Sequence, residues 1–415
     1  MILGLAAKSL RNRKFTALLT ALSIALSVLL LLGVERIRQE ARESFAATVS
    51  GTDLLVGART SPVHLLLSAI FHVGNATNNI AWSSYREIAA RAEVAWAIPI
   101  SLGDSHRGYR VLGTTPAYFE HFRFVRDRRL AFEQGSAFAG DGDAVIGADV
   151  AHALKYRVGD AIVIAHGAGE VSFALHDDHP FRISGILART GTPVDRTVHV
   201  TLAGLDAVHD DVAAGSDPLA AIIGKQSGSD APKAITAFLV GLKSRSAALA
   251  VQRAVNEFPG EPLTAVLPGV ALQEIWQVTA VLEKSLLAVS ALVVIVGLSG
   301  MLVSLLTSIG ERRREMAVLR SLGARPAQVF ALILGEAAFL TAAGIVLGMI
   351  ALEAGLVAGR PWLESRMGFY LASTWPSAEE WLLAGVVAIA GVACGLIPAW
   401  RSYRQSLADG MIVRI

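Results

Sequence analysis

The sequence predicts a membrane protein of four transmembrane α-helices, one followed by three, with a large α+β extracytoplasmic domain between the first and the second. Three observations carry this. Of 415 residues, 53% are hydrophobic and only 17% charged, which is too apolar for an ordinary soluble domain. Four apolar stretches reach the roughly 20 residues that a span requires. Their flanking arginines and lysines are distributed unevenly, which sets an orientation. The formal net charge of +2 supplies no basic field that would draw nucleic acid. Cys394 is the single cysteine, so no intrachain disulfide forms.

The elements follow in order. Residues 1–14 place Ile2, Leu5 and Leu10 against Lys8, Arg11 and Arg13. They read either as a cytoplasmic amphipathic helix lying on the membrane surface or as a plain charged flank. The first span is 15–34. Its apolar run is too long for a signal peptide and no small-x-small site closes it, so it is expected to remain as an anchor. The remaining spans are 286–309, 329–358 and 381–400, with a loop at 359–380 and a tail at 401–415. Basic residues cluster before the first span, in the 310–328 connection and in the tail. Both termini and that connection are therefore expected in the cytoplasm, and 35–285 outside it.

Within 35–285, "DAIVIA" (160–165), "EVSFAL" (170–175), "FRISGILA" (181–188), "RTVHVTL" (196–202) and "AITAFLVGL" (234–242) read as strands. These make 130–210 a strand-rich insert. "SAALAVQRAVNEF" (246–258) reads as a helix, and 61–79 as a loop contacting lipid, substrate or a second protomer. At the domain's edges, Val34, Ile37, Ala41, Phe45 and Val49, and then Leu272, Ile275, Trp276, Thr279 and Leu282, recur at helical steps. They form either a two-helix stalk continuous with the spans or the helical rim of a globular domain. Glu336 and Glu353 lie deep in the third span. A proton relay, an interhelical hydrogen bond and a snorkelling end residue are the alternatives for each.

The connection "GERRREMAVLRSLGARPAQV" (310–329) sets Met316, Val318, Leu319 and Leu322 on one side and Arg312, Arg313, Glu315 and Arg320 on the other. Gly323 suits a helix C-terminus and Pro326 a helix start. This is a short helix parallel to the membrane. A topology-setting charged loop explains the arginines but not the apolar stripe or the ordered ends.

"ERRREMAVLRSLGARPAQVFALILGEA" (311–337) resembles the signature of FtsX-like, MacB-type ABC transporter permeases. The opening "AAKSLRNRKFTALLTALSIALSVLLLLG", the stretch "AVIGADVAHALKYRVGDAIVIA" (144–165) and the close "GVACGLIPAWRSYRQSLADGMI" (391–412) are similar to other family segments. The resemblance implies a homodimer in a bacterial inner membrane. Arg312, Arg313, Arg314, Glu315, Met316, Leu319, Arg320, Leu322 and Gly323 would form the helix that couples to an ABC ATPase subunit. That partner would bind ATP and magnesium and drive motion through the stalk to export or extract a substrate, a mechanotransmission mechanism. A periplasmic adaptor or substrate protein is a further expected partner, beside membrane lipid. No G-x-x-x-x-G-K-[ST] loop occurs, so the ATPase is expected to be a separate subunit.

No G-x-S-x-G elbow, H-E-x-x-H helix or Cys/His pair appears, so the chain itself is not expected to be an enzyme. All ten histidines lie between 64 and 209. "LHDDHPF" (175–181) gathers His176, Asp177, Asp178 and His179, which reads either as part of a zinc site or as a solvated turn. His64, His72 and His106 suggest a partner-binding surface. The two functional alternatives are an FtsX-like regulator of a periplasmic hydrolase and a component of a zinc-handling ABC system.

Overall fold

The computed structural model describes residues 14–49, 51–124, 128–166, 180–208, 232–311, 318, 321, 324–367 and 375–404, with side chains from 360 to 367 and at 311 left aside. The stretches 1–13, 170–175, 176–179, most of 310–323 and the tail beyond 404, on which several sequence expectations fall, lie outside the described residues. Two compact units emerge. One comprises Met1–Glu40, Ala280–Pro361 and Leu371–Ile415; the other comprises Ala41–Thr279 and Trp362–Tyr370.

Among the described residues, four long helices are apolar enough to cross a membrane: α1 (Lys14–Thr48), α2 (Pro268–Glu311), α3 (Pro326–Met367) and α4 (Ala378–Arg404). Each contains one of the predicted spans and exceeds it. The helix periods read before and after the spans belong to α1 and α2, which run unbroken for 35 and 44 residues. Helix α3 continues to Met367, so much of the 359–380 connection is helical rather than loop. Pro398 sits inside α4; in a membrane helix, neighbouring helices, hydroxyl side chains and small local adjustments re-satisfy the freed backbone carbonyl.

Small residues let the spans approach. Gly344 and Gly348 of α3 face Ile24, Ala25 and Val28 of α1; a Cβ on Gly348 would stand 2.7 Å from the Ala25 carbonyl oxygen. Gly391 and Gly395 of α4 lie against Thr341 and Ala337 of α3. Ser27 Oγ of α1 shares its proton between the Ser23 carbonyl of its own helix at 2.9 Å and the Val293 carbonyl of α2 at 3.1 Å. Lipid is as apolar as leucine, so close van der Waals packing and interhelical hydrogen bonds hold spans together where hydrophobicity does not.

The second unit is built on one sheet. Its main strands are β1 (Leu54–Ala58), β2 (Val94–His106), β3 (Tyr109–Thr114), β4 (Phe132–Gly135), β5 (Asp143–Ile146), β6 (Phe181–Leu187), β7 (Thr197–Thr201), β8 (Ala237–Leu242) and β9 (Leu263–Val266). Their order is β9-β1-β8-β2-β3-β7-β5-β6-β4, and two short strands add to it. Only β3·β7 and β5·β6 of this path pair in parallel. Both faces are covered. In β8, Ala237 and Leu239 join one apolar cluster while Phe238 and Val240 join another. In β1, Leu55 goes to the first cluster and Leu54 and Val56 to the second. Strands buried on both faces read as continuous apolar runs rather than alternations.

The predicted strands at 181–188 and 196–202 are present, shortened at their ends; 234–242 is split into Ala234–Ile235, which pairs outside the main sheet, and Ala237–Leu242, and 160–165 into Ala161–Ile162 and Ala165–His166. The insert is not a separate sheet: β4 to β7 continue the sheet that β1 and β8 begin. Residues 62–69 are a helix rather than loop. Ser61 caps it by accepting the His64 N–H at 3.2 Å, and Pro62 occupies its first turn.

Replacing Gly348 with Leu drives a side chain into the α1 backbone. Overpacking of this kind costs about 1–3 kcal/mol. The variant is expected to lower the thermal unfolding midpoint of the detergent-purified chain by several degrees, whereas Gly355→Leu, with no atom near its Cβ position, should leave it unchanged.

Candidate functional site

The four-helix unit carries a belt of charge at one level. Residues 35–39 of α1, "ERIRQ", place Glu35, Arg36, Arg38 and Gln39 within little more than one turn. Arg36 is only 4% exposed and pairs with Glu380 of α4, itself 1% exposed, through both Nε and Nη2; the Nη2–Oε2 distance is 2.8 Å. The same Nη2 donates to Glu353 Oε1 of α3 at 3.1 Å. Arg38 donates to Glu35 through Nε at 3.0 Å, and its Nη1 lies 3.9 Å from Glu283 of α2. Gln39 Nε2 donates to Glu379 Oε2 at 2.8 Å. One turn of α1 therefore reaches α2, α3 and α4.

Glu380 is held in place before it meets Arg36. Its carboxylate accepts the Ser377 N–H at 3.1 Å, while Ser377 Oγ accepts the Glu380 N–H at 3.2 Å. This reciprocal pair is a capping box at the start of α4. The bidentate fork of an arginine on a fixed carboxylate adds orientation as well as attraction. Sequence reasoning missed this residue. Its signal was the S-x-x-E spacing of "SAEE" (377–380) ahead of an apolar run.

Glu353 is thus an ion-pair partner of Arg36 and not an isolated acid. Glu336 is 7% exposed and lines a cavity of about 480 Å³ with Thr16, Thr20, Ser304, Thr307 and Ser308.

In the other unit, the ends of α1 and α2 meet through aromatic contacts. The Phe45 and Trp276 rings are 5.6 Å apart and edge to face, and the Arg42 guanidinium lies 5.5 Å over Trp276. Phe45 also packs on Phe71 at 4.5 Å. Phe45, Leu272 and Ile275 join the cluster that underlies one face of the sheet. These are the residues that the helical period singled out.

The predicted ATPase-coupling residues Arg312, Arg313, Arg314, Glu315, Met316, Leu319, Arg320, Leu322 and Gly323 lie outside the described residues. Around them, Val318 is exposed, and Ser321 Oγ donates to the Val318 carbonyl at 2.8 Å. Arg325 N–H donates to Gln328 Oε1 at 2.9 Å, and Pro326 opens α3. That is half a capping box with proline at the first helical position.

His176, Asp177, Asp178 and His179 also lie outside the described residues. Among the described residues, no group of three or more His, Cys, Asp or Glu side chains is placed to hold a metal. His106 is no surface residue: it is buried, with Nδ1 2.6 Å from the Val163 carbonyl and Nε2 3.0 Å from the Tyr156 hydroxyl. Because a carbonyl only accepts, His106 carries its proton on Nδ1. Burial holds the His106 pKa low and lowers that of His199 to about 3.

Arg36 and Glu380 stand or fall together. Removing one partner of a buried pair costs about 3–5 kcal/mol, whereas replacing both with apolar groups is often neutral. Arg36→Met leaves Glu380 and Glu353 facing each other, so it should lower the unfolding midpoint more than Glu380→Met does. The double variant R36M/E380M should recover most of the loss in the same thermal melt.

Comparison with known proteins gives consistent matches. Residues 16–258 match the family described as MacB-like periplasmic core domain, and residues 287–407 match FtsX-like permease C-terminal. A protein of Methanocaldococcus jannaschii, described as an uncharacterized ABC transporter permease, is 28% identical over 155 residues. The match covers 36% of this chain and 38% of that relative. Among solved structures, the periplasmic region of MacB from Actinobacillus actinomycetemcomitans aligns with a TM-score of 0.34 and 11% identity, over 56% of this chain and 96% of that one. The extracellular domain of the noncanonic ABC-type transporter YknZ from Gram-positive bacteria aligns with a TM-score of 0.29 and 11% identity, over 52% and 98%.

Proposed function

Since this chain belongs to the FtsX-like, MacB-type ABC transporter permeases, we propose that it is a transmembrane subunit that converts ATP hydrolysis by a separate cytoplasmic ATPase into motion of its periplasmic domain. The motion exports or extracts a substrate. The chain acts as a dimer in the inner membrane with both termini in the cytoplasm. The arginine-rich 310–328 connection docks on the ATPase, apolar side into a groove and basic side toward the cytosol.

One observation carries this reading. Helices α1 and α2 each continue without a break far past their apolar windows. A continuous hydrogen-bonded helix transmits displacement along its axis, and the parts of α1 and α2 that leave the apolar windows, 34–48 and 270–296, hold no glycine or proline to act as a hinge. The charge belt supports it, because one turn of α1 grips the other three helices. The bundle then moves as a unit when the ATPase pushes on it. Chemistry stays with the partner: ATP and magnesium bind there, and no phosphate-cradling loop occurs in the 415 residues.

Deleting 316–322 should leave the chain in the membrane and abolish co-purification with its ATPase subunit. Equal recovery of the ATPase with the wild-type and deleted chains would refute the docking assignment.

A further inference from the structure

Two cavities of about 430 and 370 Å³ open in the sheet-bearing unit, and His72 and Arg110 line both. The larger cavity is walled by the loop 74–79, "GNATNN", which brings the amides of Asn75, Asn78 and Asn79 to it. The smaller carries aromatic and apolar side chains, Phe45, Phe71, Val73, Tyr109 and Pro193, beside the hydroxyls of Ser44, Thr48 and Thr197. Arg110 therefore stands at the divide between an amide-lined compartment and an aromatic one.

Among the described residues, no carboxylate pairs with the charge at that divide. Arg110 donates to Asn75 Oδ1 from Nη1 and Nη2, both at 3.2 Å, and to the Gly74 carbonyl from Nη2 at 2.9 Å. Both partners are neutral, and these bonds use three of the five guanidinium N–H groups. None of the described residues lining either cavity is acidic, and the Arg196 guanidinium lies 5.9 Å over Tyr109 in the smaller one. The partition is also held under strain. His72 adopts φ 57°, a conformation that non-glycine residues seldom take outside functional or tightly determined sites. It is fixed there from Nδ1, 3.0 Å from Thr197 Oγ1. Thr197 Oγ1 sends its own proton to the Pro193 carbonyl at 2.8 Å, so His72 Nδ1–H is the donor. Burial and then the Arg110 charge lower the His72 pKa to about 4. The histidine is neutral at pH 7 and leaves the positive charge to the arginines.

We propose that this double cavity binds a small anionic group carrying an apolar arm. Arg110 takes the anion, the asparagine loop pairs with adjoining amides or hydroxyls, and the Phe45–Phe71–Tyr109 compartment takes the arm. A peptide carboxylate and a phosphate headgroup share this chemistry. Ser44, Phe45 and Thr48 of α1 line the aromatic compartment, so occupancy bears directly on the end of that helix. Binding stands independently of the function proposed above; only a link from occupancy to nucleotide-driven motion rests on it.

The test uses the full chain in nanodiscs of zwitterionic lipid, without ATPase, and ligand-observed NMR. The probes are N-acetyl-phenylalanine, phenyl phosphate and the uncharged N-acetyl-phenylalanine amide. The proposal requires at least one anionic probe to bind tenfold or more tightly than the amide, and the tighter of the two identifies the source as peptide or headgroup. Arg110→Gln should remove that preference. Val73→Glu, at a rim residue 59% exposed, should weaken the anionic probes tenfold while leaving the unfolding midpoint intact. Equal binding of acid and amide, or a preference that survives in V73E and in folded R110Q, overturns the site. Because no ATPase is present, such a failure leaves the coupling assignment standing, and loss of ATPase docking would leave this site standing.

Discussion

A backbone N–H or C=O in hydrocarbon has no water to bond, so a span must satisfy every one of them within its own helix. That constraint shapes this protein beyond the bilayer. At 1.5 Å per residue, α1 and α2 extend about 52 and 66 Å, against a hydrocarbon core of about 30 Å. Both helices keep the same uninterrupted bonding after hydrocarbon no longer demands it. The cost of a long exposed helix is met by side-chain contacts such as Phe45 on Trp276 and the packing of Leu272 and Ile275 on the sheet.

Holding such helices in register calls for different physics at each depth. Within the apolar windows, leucine against leucine gains nothing over leucine against lipid. Gly344, Gly348, Gly391 and Gly395 therefore set contact distances, and Ser27 supplies a cross-helix hydrogen bond. At residues 35–39 the burial of Arg36 and Glu380 makes ionic contact effective. A pair this desolvated is expensive to form and more expensive to break, so it favours one arrangement of the helices over many. The capping box that fixes Glu380 ties the pair to the start of α4, where the chain re-enters the apolar unit.

Much of this was legible in the sequence. The four spans and the helical continuation of the first two followed from apolar run length and a 3.6-residue period, which are long signals. The strands at 181–188 and 234–242 were legible as apolar runs. Strands β1, β2 and β3 were not, because both sheet faces are buried and Leu54–Ala58 carries no alternation to distinguish it from a fragment of helix. The helix at 62–69 was concealed by its neighbours: the polar "GNATNN" coloured the whole of 61–79 as loop, although Ser61-Pro62 is a helix start. Arg36 and Glu380 lie 344 residues apart, and no local pattern pairs them. Arg36 is a cation just past the first apolar run, and its buried acidic partner accounts for its being tolerated there.

The central claim is that α2 works as a rod. The most direct measurement places a Gly-Pro-Gly break after Val281, a residue 73% exposed, and follows the separation of spin labels on the two sheet-bearing domains of the proposed dimer with and without ATP. The account predicts that the ATPase subunit still binds and turns over while the nucleotide-dependent change in separation disappears. An undiminished change with the helix broken would contradict it.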